Sequence, residues 1–138
     1  MRTLLKGVNC AVRLSRISRF STKFPRMADN SGCGVYSACF ITCPNMETAK
    51  ALARSVVEEN IAACVNLIPG ITSVYMYEKK FQEDSEVLMM VKTRSSRVPH
   101  LVEYIKKNHP YDVPEIISTP IEQGNPAYLS WIGENVPR

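Results

Sequence analysis

The spacing of hydrophobic and polar positions along this chain changes period several times, and each change marks an element. Val35 to Thr42 is β-branched and aromatic, which predicts a strand. Pro44 breaks it and Asn45 can cap a helix begun just after it, with Glu47 in the first turn facing the helix dipole. Ala49, Leu52, Ala53, Val56 and Val57 then recur at helical spacing, giving a helix with one apolar face that ends at Glu58-Glu59-Asn60. Ala62 to Ile68 reads as a second strand stopped by Pro69-Gly70. Ile71 to Glu78 is extended again, with Tyr75 and Tyr77 on one side. It either lengthens the second strand beyond a Pro-Gly kink or stands alone.

Lys79 to Asp84 forms a polar hairpin tip, and the apolar run Glu86 to Lys92 predicts the central strand, covered on both sides. Ser95 or Ser96 can cap a second helix, with Pro99 in its first turn and Val98, Leu101, Val102 and Ile105 as its buried stripe. It runs out at Asn108-His109-Pro110. A short third helix is capped by Asn125, starts on Pro126 and carries Tyr128, Leu129, Trp131 and Ile132.

The order β-α-β-β-α-β plus a C-terminal helix is that of an α+β, ferredoxin-like sandwich, with two helices on one face of an antiparallel sheet. The predicted strands alternate poorly, so both sheet faces read as buried. A second layer must then come from another copy of the chain.

Between the second helix and the last strand lies the densest chemistry, His109-Pro110-Tyr111-Asp112-Val113-Pro114-Glu115. Each proline fixes its own φ and pushes its predecessor toward extended geometry, so the segment is a stiff turn. One imidazole and two carboxylates held rigidly suit a metal site or an acid–base pair. They equally suit a helix stop whose polar groups cap it and meet water.

Charge changes the picture at the front of the chain. Seven of the seventeen basic residues, and no acid, lie in residues 1–27, so the remainder sets ten cations against thirteen acids and is mildly acidic. The basic balance therefore says nothing about nucleic acid. Residues 1–27 are rich in Arg and Ser, with Leu5, Val8, Ala11 and Val12 on one side of a helical wheel and Arg2, Lys6 and Arg13 on the other. That is the composition of a mitochondrial transit peptide; a disordered basic tail, with initiation at Met27 giving a cytosolic form, is the alternative. Residues 28–34 read as a linker, leaving one domain over 35–136. No apolar run approaches the roughly 20 residues that span a bilayer. The five cysteines form no C-x-x-C pair. Cys39 and Cys43, about 13 Å apart on one strand, are predicted to be small buried hydrophobes.

The blocks Thr42-Cys43-Pro44-Asn45, Ala62 to Pro69, Thr72 to Tyr75, Glu86 to Thr93, His109-Pro110-Tyr111 with Pro114-Glu115, Gln123-Gly124-Asn125 and Tyr128 to Trp131 occur in the order found in the CutA divalent-cation tolerance proteins. The chain resembles that family over about Ser37 to Trp131. The resemblance implies a tight homotrimer, similar in shape to the PII signalling proteins, whose long hairpins extend each neighbour's sheet. It also implies a link to copper or another divalent transition metal. For animal members it implies association with the membrane complex that anchors acetylcholinesterase. Bacterial relatives proposed to bind copper use a strand cysteine, a His and a Glu. Their cysteine falls here on Ile41 and their His on Asn108, so Glu115 carries over with His109 as a neighbouring imidazole. The family's hairpin pattern, aromatic-x-glycine-lysine, reads here Tyr77-Glu78-Lys79-Lys80, without the glycine.

The expected metal ligands are thus His109 and Glu115, with Asp112 as a third, completed across a subunit seam. Tyr75, Tyr77, Lys80, Tyr111 and Trp131 are the expected lining of an inter-subunit cleft that takes a planar or anionic ligand; as packing residues they need no ligand. The chain is expected to be non-enzymatic, since it offers no serine elbow and no legible Cys–His pairing. A nucleotide sensor of PII type is the competing function, although no glycine-rich phosphate loop occurs. RNA binding on the sheet calls for an aromatic Arg/Lys-Gly-Phe strand and a basic domain, and neither occurs.

Overall fold

A computed structural model describes residues 34–138. The segment read as a transit peptide, and all of the linker but Gly34, lie outside them. The elements run β1 (Tyr36–Cys43), α1 (Met46–Glu58), β2 (Cys64–Tyr77), β3 (Lys80–Arg94), a 3-10 turn (Ser95–Arg97), α2 (Val98–Asn108), β4 (Ile116–Ile121) and α3 (Pro126–Asn135). The four strands form one sheet in the order β2-β3-β1-β4, every pair antiparallel. This is the split βαβ sandwich expected from the element order.

Asn45 caps α1 through its side chain, which accepts from the Thr48 amide at 2.8 Å. The helix ends in a tight reversal at Asn60 (φ 54), where the amide of Ile61 returns to the Val56 carbonyl. Asn tolerates that left-handed conformation better than most residues. Asn125 caps α3 ahead of Pro126, its side chain accepting from the Ala127 amide at 3.1 Å. The second helix departs from expectation, because neither serine caps it. Ser95 and Ser96 sit in the 3-10 turn, and the Ser95 hydroxyl pairs with that of Ser37 at 2.8 Å.

Ile71 onward proves to be the same strand as Cys64 to Ile68. Pro69 and Gly70 form a bulge opposite Val87, with Gly70 at φ 71, where a β-carbon is strained. The hairpin tip is narrower than the polar run suggested. Only Glu78 and Lys79 turn, both at positive φ (47 and 63), and Lys80 to Asp84 belong to β3. Two-residue loops of this type match the right-handed twist of their strands, so pairing overrides the polar composition.

The core lies between the helices and one sheet face. Ala49, Leu52 and Val56 of α1, with Leu101 and Ile105 of α2, pack on Cys39, Ile41 and Cys43 of β1 and Val87, Met89 and Val91 of β3. The register sets Cys39 opposite Val91, and Ile41 opposite Met89. Burial in β1 and β3 therefore alternates more cleanly than their hydropathy does. In a single chain the other face is open, with Phe40 and Met90 half-buried and Ile117 56% exposed. α3 closes a small second cluster of Ile132, Val136 and Ala63, against Tyr36 at the start of β1.

Candidate functional site

Rise along a strand of about 3.3 Å per residue carries β2 and β3 well past the end of β1. The turn His109–Glu115 lies against this junction. The amide of His109 still bonds to Ile105, but its backbone has turned extended, and the side chain passes inward until only 8% of the residue is exposed. There Nε2 donates to the Thr42 carbonyl at 2.9 Å, while Nδ1 accepts the Tyr111 amide at 3.1 Å. Those two partners require the proton on Nε2. The thiol of Cys43 stands 3.6 Å from the same nitrogen. Burial pushes the His109 pKa below its ordinary value, against the opposing pull of the Thr42 bond and the Glu86 charge. Both ring nitrogens are therefore committed in a neutral imidazole.

Tyr111 meets the His109 ring edge-on, at a centroid distance of 5.0 Å, and its hydroxyl donates to Glu86 Oε1 at 3.1 Å. Ser73 donates to the other oxygen of Glu86 at 2.6 Å. Glu86 is 7% exposed. The one ion pair among the described residues, Lys106 with Glu103, lies elsewhere on the surface, so two hydroxyls rather than a cation satisfy this carboxylate. Next along β3, Asp84 accepts from Tyr75 at 2.5 Å. Burial first, then donation to Glu86, pushes the Tyr111 phenol up to about 12. Donation to Asp84 is the main cause of the rise at Tyr75. Both phenols are consequently fixed donors at neutral pH. Reading the sequence missed Glu86, which looked like the edge of an apolar strand. Its one signal is being the acid that opens the run Glu86 to Lys92.

The expected site residues are only partly brought together. Tyr75 and Tyr111 join the Glu86 cluster. Tyr77 and Lys80 flank the hairpin turn and are exposed. Trp131 stacks on Tyr128 at 5.5 Å on α3, which docks near Arg94. Along β3, Arg94 lies some 45 Å from Lys80, so the five cannot line one cleft within a single chain. Asp112 and Glu115 are exposed on the turn. Among the described residues, no three His, Cys, Asp or Glu side chains are placed to hold an ion. With both His109 nitrogens in use, one chain does not fit a closed divalent-metal centre. Beside the turn, a groove of about 550 Å³ runs between Glu47, Thr48 and Ser55 of α1 and Lys107, Asn108 and His109.

The family model described as CutA1 divalent ion tolerance protein matches residues 37–135. A Xenopus laevis relative named "Protein CutA homolog" is 54% identical over 114 residues, spanning 83% of this chain and 76% of that protein. The solved divalent cation tolerance protein of Thermus thermophilus is 45% identical with a TM-score of 0.72, over 74% of this chain and 99% of that one. CutA1 from Oryza sativa gives 46% and 0.74, over 78% and 98%. Matching sequence blocks, strand order and fold thus converge, and the chain belongs to the CutA1 divalent ion tolerance protein family.

Proposed function

We propose that this chain acts without catalysis, as a homotrimer in the response to divalent metal ions, with its ligand sites at the seams between subunits. The observation that carries this reading is the apolar surface one chain leaves open. Val74, Met76 and Tyr77 on the β2–β3 ribbon are exposed, Phe81 to 78%, and Ile117 adds to them on the sheet. A two-stranded ribbon has little stability alone in water, and copies of the same chain are the natural cover. At such a seam the exposed carboxylates of Asp112 and Glu115 are free to meet donors of a neighbour. His109 joins copper or another divalent transition ion only by leaving Thr42. Sedimentation of the full chain, with Cu(II) and Zn(II) titration of wild type and His109→Ala/Glu115→Ala, tests both parts. A monomer at micromolar concentration overturns the assembly, and undiminished binding by the double variant overturns the ligand set.

The adaptor role toward a membrane-anchored partner rests on family resemblance, as does mitochondrial import on the acid-free composition of residues 1–27. Imaging a full-length fusion against one lacking those residues tests import; identical distributions overturn it. A second reading, a small-molecule or nucleotide sensor in the clefts, draws on the exposed Tyr128–Trp131 stack. A nucleotide-dependent rise in melting temperature supports it.

A further inference from the structure

The open face of the sheet carries one ammonium that the fold leaves without a countercharge. Lys92 lies on that face of β3, between Cys64 of β2 and Ala38 of β1 in the ladder, and only 8% of it is exposed. Its Nζ donates to the side-chain oxygen of Asn66 and, at 3.4 Å, to the Met90 carbonyl. Both acceptors are neutral, and among the described residues no carboxylate pairs with it. We propose that Lys92 and Asn66 form a binding site for the carboxylate group of a small organic monoanion. The site gives the small-molecule sensor reading above its ligand class and rests on that reading; it involves no metal.

Glu86, further back along the same face of β3, is a charge with its partners in place. Ser73 and Tyr111 each donate to one of its oxygens. Lys92 differs. Its ammonium has three N–H donors, and two neutral acceptors, one of them distant, leave it short of both an acceptor and an opposite charge. A buried charge in that condition is costly, and the cost grows when a second copy closes over the face. An anion bound beside Lys92 removes it.

The donors fit a carboxylate. With the Oδ1 of Asn66 accepting from Lys92, its Nδ2 lies next to the ammonium, and Asn66 is exposed. One carboxylate oxygen meets Nζ and the other meets Nδ2, a charge-assisted hydrogen bond beside a second donor. Cys64 and Ala38, the ladder neighbours of Lys92, are small and leave room above it. Charge selects the class. One carboxylate neutralises one ammonium, whereas a phosphate dianion leaves a negative charge on a face that assembly desolvates. Tyr128 lies against the Cys64 sulfur and stacks on Trp131. A planar body attached to the carboxylate therefore has an aromatic surface within reach.

The test is calorimetric titration of the full chain with benzoate, with benzamide, inorganic phosphate and ATP as comparison ligands. Wild type is compared with Lys92→Met and Asn66→Asp. Circular dichroism verifies the fold of each, and sedimentation its assembly. Lys92→Met removes the charge at nearly constant length, an exchange that buried sites tolerate. Wild type is expected to bind benzoate in preference to benzamide and phosphate, and Lys92→Met to bind it at least about tenfold more weakly. Asn66→Asp places the missing anion within the chain, so it should raise the melting temperature and exclude benzoate. Benzoate binding that is undiminished in Lys92→Met, or matched by benzamide or phosphate, overturns the site. Dissociation of folded Lys92→Met into single chains shows that a neighbour's carboxylate fills the site, which also overturns the proposal. If ATP binds and benzoate does not, the carboxylate site falls and the sensor reading stands; if no ligand binds, both fall.

Discussion

Thr42 and His109, 67 residues apart in the chain, meet in a buried hydrogen bond of 2.9 Å from the imidazole Nε2 to the backbone carbonyl. It ties the turn after α2 to the end of β1 and sets which atoms of the turn face water. With Nδ1 holding Tyr111, one ring secures two segments.

That bond makes stability depend on pH. Burial lowers the folded pKa of His109 below its unfolded value near 6.5, so folding favours the neutral ring. Its contribution is complete above about pH 6.5 and is lost as pH falls from there through the folded pKa. Replacing the ring by alanine leaves a carbonyl and an amide without partners and opens a void, costing roughly 2–3 kcal/mol. Chemical denaturation at about pH 7.5 and about pH 5.5 should show wild type losing more stability than His109→Gln.

Lys79 occupies φ 63 in the hairpin turn, a left-handed conformation that favours glycine. A side chain there costs about 1–2 kcal/mol, against roughly 0.5–1 kcal/mol for the extra unfolded-state freedom of glycine. Lys79→Gly should therefore stabilise the fold by about 0.5–1 kcal/mol, read as a shift of the denaturation midpoint at constant slope.

Arg94 anchors the end of α3. Its guanidinium bonds to the carbonyls of Gly133, at 2.6 Å, and Val136, and lies over the Tyr36 ring. Losing charged hydrogen bonds of this kind predicts a cost of about 2–3 kcal/mol for Arg94→Ala. The lysine variant should lose about half as much, since an ammonium cannot reproduce the fork. Denaturation curves of the two variants check the ranking.

Ile117, opposite Phe40 in the register, is exposed in the single chain. A charge there should change the stability of the isolated subunit by no more than about 0.5 kcal/mol. It should break the proposed assembly, because a buried unpaired carboxylate is strongly disfavoured. Ile117→Glu is expected to sediment at the mass of one folded chain. A variant that still sediments as a trimer counts against this face being the seam.

Local rules reached far along this chain. The helical spacing of Ala49, Leu52 and Val56 named the face that is buried, and Asn45 and Asn125 cap where their chemistry indicated. Where one favourable option competed with another, local rules failed. Ser95 preferred a partner 58 residues away to capping its own helix. Lys80 to Asp84, polar enough for a loop, were drawn into the ladder by pairing with β2. The Glu86 cluster and the Cys43–Met89 contact left no trace, since each joins residues that only the strand register makes neighbours.

Period and punctuation alone determined the element order, the two helix stripes and hence the sandwich, because each arises from interactions within a few residues. Three-dimensional packing decided which sheet face stays open, which nitrogen of His109 holds the proton, and where the carboxylates of β3 and the turn come to lie. These depend on pairings between distant segments, whose energies exist only once the register has closed.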